Sequence, residues 1–385
     1  MNLSLFFMLA AAAGISGADC HNQDPDVSMN TPKDEVGAVF AMTNTAPHNK
    51  IIAFSRNAKG ELKHVGEHST GGIGQGVDFD TQGGLVLNHD HSFLYAVSPV
   101  SDLVSVFSVK GSSLQKVQEI YAGDQPLSFT ISKNGYAYAL DGSVASTGIF
   151  GFKVDDTKGT LTPLTNKTIP LSSPIGVPGD IAFSPDGKAL IAVNKVGSTI
   201  DVFAIDENGQ ASETPMNTVA SSGIRPFAAT FNNGSSLYVI ESGLPALKNT
   251  ALSTYRLNGG DTPSLTAVTK SERNDQTDGC WIVVTPDEKY AYAANFISGT
   301  ISSYGLASNG TASLLEADAA MPDGLASNPV DLVLSADGRF LYNLLRGSGA
   351  VAGYEIQDDG SLKQVGELAK EGIPPKLGAS GLAGY

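Results

Sequence analysis

Short apolar runs recur at even spacing along the chain, and turn-forming residues separate them. Ala189–Val193, Tyr290–Ala294 and Phe340–Leu344 each follow a tight turn: Ser184-Pro185-Asp186-Gly187, Thr285-Pro286-Asp287-Glu288 and Ser335-Ala336-Asp337-Gly338. Looser versions of that turn stand at Asn88-His89-Asp90-His91, Ser132-Lys133-Asn134-Gly135 and Asn232-Asn233-Gly234. Asp-Gly and Asn-Gly suit a hairpin because it needs positive φ at little steric cost. A third strand follows in each unit, as at Thr199–Ala204, Thr300–Tyr304 and Ala350–Tyr354, and a glycine turn introduces a fourth. The pattern predicts short antiparallel strands in groups of four.

The glycine turn recurs as Lys59-Gly60-Glu61-Leu62, Gly111-Ser112-Ser113-Leu114, Lys158-Gly159-Thr160-Leu161 and Asn208-Gly209-Gln210. It continues as Asn258-Gly259-Gly260, Asn309-Gly310-Thr311 and Asp359-Gly360-Ser361-Leu362. From Gly60 to Gly360 these seven turns repeat every 50 residues on average, the length of one four-stranded propeller blade. There are seven glycine turns but six hairpin turns of the first kind. Val36–His68 lacks an innermost strand, and the C-terminal Leu377–Tyr385 is about one strand long. The expected fold is therefore an all-β, seven-bladed β-propeller of four-stranded blades. Its ring is closed by N- and C-terminal segments that share one blade.

Composition agrees with strands and turns rather than helices: 41% hydrophobic and 16% charged, with 43 Gly and 19 Pro. The net charge of -15 repels phosphate backbones and anionic membrane surfaces, so neither nucleic acid nor membrane is an expected partner. Residues 1–18 read as a signal peptide: the apolar run Leu3–Ala13 is too short to span a bilayer, and Ser16-Gly17-Ala18 offers small residues for cleavage. No Lys or Arg precedes that run, and Asp19 before Cys20 argues against lipoprotein-type cleavage. Residues 19–34 are then a tail and 35–385 a single domain, expected to be exported, soluble and monomeric. Outside the cell Cys20 and Cys280 could form a disulfide pinning the tail, or Cys280 could be a buried thiol beside Trp281. The glycosylation sequons at Asn166, Asn233 and Asn309 all fall in turn-like segments.

The blade pattern Ser184-Pro185-Asp186-Gly187-Lys188, Asn194, Val202-Phe203, Gly209 resembles that of the lactonase-type seven-bladed propellers. That family includes bacterial 6-phosphogluconolactonases and fungal 3-carboxymuconate cyclases, and the resemblance spans roughly Glu35–Tyr385. Gly83–Leu87, Gly279-Cys280-Trp281 and Gly378–Gly384 suggest a divergent exported branch. The resemblance implies a site at one channel mouth, built from a histidine, two arginines and a glutamate. Arg225, in Gly223-Ile224-Arg225-Pro226, and Glu241, ending Tyr238-Val239-Ile240-Glu241, match two of the four positions. The histidine is missing from Val177-Pro178-Gly179-Asp180, and Phe296 occupies the second arginine position after Asn295.

On this resemblance the ligand is a small lactone or carboxylate, hydrolysed or formed without cofactor or metal. Arg225 would clamp a carboxylate, and Glu241, raised in pKa by burial, would move a proton. Lys195, Asn295 and Arg346 are further candidates for substrate contact. An Arg225–Glu241 side-chain pair is sterically reasonable and could be catalytic or an internal salt bridge. With the histidine missing, a non-catalytic secreted propeller that binds a sugar, small molecule or protein is the rival reading. Zinc-type Cys/His spacing, a phosphate-binding glycine loop and a nucleophile-elbow serine are all absent from the sequence.

Overall fold

A computed structural model describes residues 33–385 apart from 78–79, 145–146 and 174–176. Its strands form seven antiparallel sheets of four strand positions each, arranged in a ring. In the third blade the outermost position is shared by two short pieces, Leu161–Pro163 and Ile169–Pro170, both paired to Gly148–Val154. Second strands such as Phe93–Ser98 and Ala189–Asn194 are buried along their whole length, because blades cover them on both faces. Their sequences therefore read as continuous apolar runs. Alternation survives in outermost strands such as Leu62–Ser69, which are half solvated.

The repeated glycines meet two demands at once. Gly60, Gly159, Gly209 and Gly360 have φ between 69° and 82°, where a side chain is strained. Their Cα atoms also press on an aromatic ring of the preceding blade: a Cβ on Gly209 would lie 2.1 Å from the Tyr136 ring. A tyrosine hydroxyl of that same preceding blade donates to the glycine carbonyl, from Tyr138 to Gly209 at 2.8 Å and from Tyr342 to Gly60 at 2.9 Å. Each such turn is thus a clasp between neighbouring blades.

The ring closes where the strand count placed it. Leu382–Gly384 pairs with Gly37–Met42 in the first blade, in the register Val39 with Gly384 and Ala41 with Leu382. The regular strand is shorter than the expected Leu377–Tyr385, because backbone bonds between Met42 and Ser380–Gly381 take over before it. Tyr385 then repeats the clasp, its hydroxyl donating to Gly111 of the second blade at 3.0 Å.

Cys280 is buried, its Sγ 3.3 Å from Asp278 Oδ1. Cys20 and the signal-peptide segment lie outside the described residues. Asn166, Asn233 and Asn309 are all exposed.

Candidate functional site

At one end of the ring the innermost strands begin and the second strands end. Five consecutive blades start their innermost strand with a register shift, at Pro126, Pro178, Pro226, Gly279 and Pro329. Such bulges re-aim side chains at the rim. Arg225 precedes Pro226 in the fifth blade with φ of 59°, a conformation that few non-glycine residues adopt. Its N–H donates to Ser198 Oγ at 3.1 Å, and its carbonyl accepts from the Ser242 N–H at 2.9 Å. The backbone around the guanidinium is thus held on both sides.

Lys195 follows the second strand of the fourth blade. Its side chain is almost wholly buried, with Nζ 4.6 Å from the centroid of the Phe227 ring. A buried ammonium needs a partner, and Asp80 supplies it. Asp80 Oδ2 accepts from Lys195 Nζ at 2.8 Å and from Arg225 Nη2 at 3.0 Å, and Lys195 also donates to the Asp80 carbonyl. Phe227 packs on Trp281 at 5.0 Å, and the Arg346 guanidinium lies 5.9 Å from Trp281 and 5.1 Å from Phe296. Three cations on the fourth, fifth and seventh blades therefore share one mouth with the aromatic rings of Phe227, Trp281 and Phe296 beside them. Arg346 Nε donates to the Ala379 carbonyl at 3.1 Å, which ties it to the closing segment.

The chain between the first and second blades crosses the channel just below. Thr81 Oγ1 donates to Leu127 O in the third blade, while the Thr81 carbonyl accepts from Trp281 Nε1 in the sixth. Gln82 bridges Asp180 Oδ2 in the fourth blade and the Ile282 N–H in the sixth, at 3.3 and 2.9 Å. The site is consequently a mouth with a polar floor beneath it, not an open pore. Asp180, in the segment that lacks the family histidine, is a buried carboxylate on this axis. Ser128 Oγ, the Ile181 and Ala229 N–H groups and Gln82 Nε2 all donate to it. Burial pushes its carboxyl up to about 7, against the lowering effect of the bonds from Ala229, Ser128 and Ile181.

Glu241 stands elsewhere. It is fully buried, and no salt bridge joins it to Arg225 among the described residues. Its Oε1 accepts from Ser221 Oγ and Gly223 N at 2.7 Å and Ser253 Oγ at 2.8 Å, and Oε2 from Ser271 Oγ at 3.0 Å. Burial raises its pKa and these donors lower it, with burial the larger effect. The expected Arg225–Glu241 pair is thus not formed, because Asp80 takes the guanidinium and hydroxyls take the carboxylate.

The same strand-end position anchors an incoming loop in other blades. Asp141 accepts from the Asp124 N–H at 3.0 Å, and Asn295 meets Asn274 at 3.1 Å. Glu241 is the fifth blade's version of that anchor, and it holds Gly223 two residues before Arg225. Asn295 is buried, its amide donating to Thr300 Oγ1 and Ser302 Oγ, so it supports the rim rather than facing it. His89 lines a depression of about 310 Å³ among the hairpin turns at the opposite strand ends, and His91 stacks on Tyr385 at 4.8 Å. Neither reaches the cationic mouth.

Sequence reasoning did not single out Asp80, Gln82 or Asp180. The available signal was the polar, glycine-rich stretch Gly76–Gly84 where an innermost strand was due.

Seven closed four-stranded sheets with Lys195 and Arg225 paired to Asp80 at one end define a β-propeller. The model of the family described as "Lactonase, 7-bladed beta-propeller" matches residues 37–178 and 208–320. The chain belongs to that lactonase family. It is 25% identical over 291 residues to a 6-phosphogluconolactonase of Sodalis glossinidius, covering 73% of this chain and 82% of the relative. To a 6-phosphogluconolactonase of Formosa agariphila it is 25% identical over 284 residues, covering 70% and 79%. Among solved structures, a Bacteroides uniformis protein superposes with a TM-score of 0.71 at 18% identity, covering 92% of this chain and 100% of the other. The periplasmic gluconolactonase of Pseudomonas aeruginosa superposes with a TM-score of 0.66 at 14% identity, covering 90% and 98%.

Proposed function

We propose that this lactonase-family protein hydrolyses a small sugar-type lactone at the Lys195–Arg225 mouth. One observation carries the reading: two cations from adjacent blades converge on a single carboxylate oxygen at the channel mouth. A lactone carbonyl placed there would have its oxygen beside the Arg225 guanidinium. Water adds to the carbonyl carbon, and the negative charge that develops on the oxygen is stabilised by Arg225. The ring C–O bond then breaks, and the departing alkoxide takes the proton that water gives up. Glu241 acts through position: it holds the Ser221–Gly223 loop and so the approach of Arg225. The names of the curated relatives support a sugar lactone over other esters.

The test is hydrolysis of a lactone panel by purified protein. Arg225→Ala should lower kcat/KM by about 100-fold or more with unchanged circular dichroism. Unchanged activity in that variant would overturn the role of Arg225. Absence of turnover across the panel would return the protein to the binding reading, where a pull-down from the exported fraction is the measurement. We also propose export with cleavage after Ala18 and glycosylation at Asn166, Asn233 and Asn309. N-terminal sequencing and glycosidase shifts of the secreted form check both.

A further inference from the structure

Asp80 stands where an anionic group of a substrate would have to stand. Its Oδ2 is within 3.0 Å of both Lys195 Nζ and Arg225 Nη2. The carboxylate is held from behind as well: the next two residues, Thr81 and Gln82, are bonded to the third, fourth and sixth blades. Asp80 is therefore part of a fixed crossing segment and not a surface residue that happens to reach the mouth. Lys195 is buried and directs its ammonium to Asp80 twice, at the side chain and at the backbone carbonyl. The third cation, Arg346, lies over Trp281 and Phe296 and donates to Ala379.

We infer that Asp80 is a specificity residue, a resident counter-ion that excludes phosphorylated and carboxylated lactones and fits the mouth to an uncharged one. The physical reason is electrostatic. A phosphate or carboxylate approaching Arg225 must either displace Asp80 or sit beside a like charge, and like charges a few ångströms apart at a partly exposed site repel strongly. A neutral carbonyl meets no such barrier on binding, and only the smaller charge that develops on its oxygen in the transition state opposes Asp80. It needs only one N–H of the guanidinium, and the Arg225 side chain remains about one-third exposed alongside its bond to Asp80. The carboxylate clamp that the family resemblance implies for Arg225 is thus supplied by the protein itself. Asp80 also neutralises one of the two charges, which lowers the attraction the mouth exerts on anions from solution.

The inference rests on the lactonase reading for its substrates, so the test has a binding arm that does not. Inorganic phosphate is titrated calorimetrically into wild type, Asp80→Asn and Asp80→Asn/Arg225→Ala, and each fold is checked by circular dichroism. Phosphate should bind Asp80→Asn about tenfold or more tighter than wild type, and the gain should vanish in the double variant. In the kinetic arm, δ-gluconolactone and its 6-phosphate are compared. Wild type should prefer the uncharged lactone, and Asp80→Asn should move the ratio of kcat/KM values towards the phosphorylated one by about tenfold or more. Equal phosphate affinity in wild type and Asp80→Asn overturns the inference. So does a wild-type preference for the phosphorylated lactone, which decides the matter even if Asp80→Asn does not fold. If neither lactone is hydrolysed, the lactonase reading fails, and phosphate affinity alone still tells whether Asp80 screens the cations.

Discussion

Arg225 shows how a residue is aimed by its backbone. The residue before a proline normally favours extended conformations, yet Arg225 has φ of 59° and is pinned by Ser198 and Ser242. Glu241 maintains that loop, so Glu241→Gln, which replaces one accepting oxygen by an NH2 group facing donors, should lower kcat by about tenfold or more. The shape of the pH–rate profile should stay the same; loss of one limb would instead make Glu241 the proton-transfer group. Asp180 gives a second residue-scale prediction. Its folded pKa of about 7 exceeds its ordinary 3.8, so the folded protein keeps a proton that the unfolded chain releases. The associated stability is fully present below about pH 4 and is lost as pH rises to about 7. Tm measured across that range should fall for wild type relative to Asp180→Asn, and parallel curves would refute the shift. Neither carboxylate's surroundings could be read from neighbouring letters, since their partners are 49 and 98 positions away for Asp180 and up to 30 for Glu241.

At the scale of the element, the glycine turn and the tyrosine of the preceding blade form one unit. Tyr138 illustrates it, donating to Gly209 and accepting from the Ala211 N–H, both at 2.8 Å. Gly209→Ala combines a strained φ with a collision against Tyr136, and should cost about 2–4 kcal/mol in chemical denaturation. Gly260→Ala has strained φ but nothing within 4 Å, and should cost about 1–2 kcal/mol. Equal costs would mean that the clasp contributes nothing. The seven turns themselves were legible in the sequence because each depends on a glycine at a fixed place in a repeat. Their second function was not, because the rings that press on Gly60, Gly159, Gly209 and Gly360 come from another repeat.

For the whole molecule, closure makes the two ends one structure. Truncation after Lys376 removes the strand paired with Gly37–Met42, the Tyr385 clasp and the carbonyl that Arg346 holds. It should take away most of the ~5–15 kcal/mol typical of a folded domain, and a cooperative melt at the wild-type Tm would contradict the closure argument. Hydrophobic runs, turn residues and their period already determined the class of fold, the number of blades and the partnership of the two ends. All of these are local or periodic properties, and a repeat writes them several times over. The mouth was decided only in three dimensions. Arg225 and Lys195 could be named as cations, but their common partner Asp80 arrives from a non-repeating segment that crosses the channel, and Glu241 turns into its own blade. A site assembled from single residues of separate blades has no period, so only the closed ring brings its charges together.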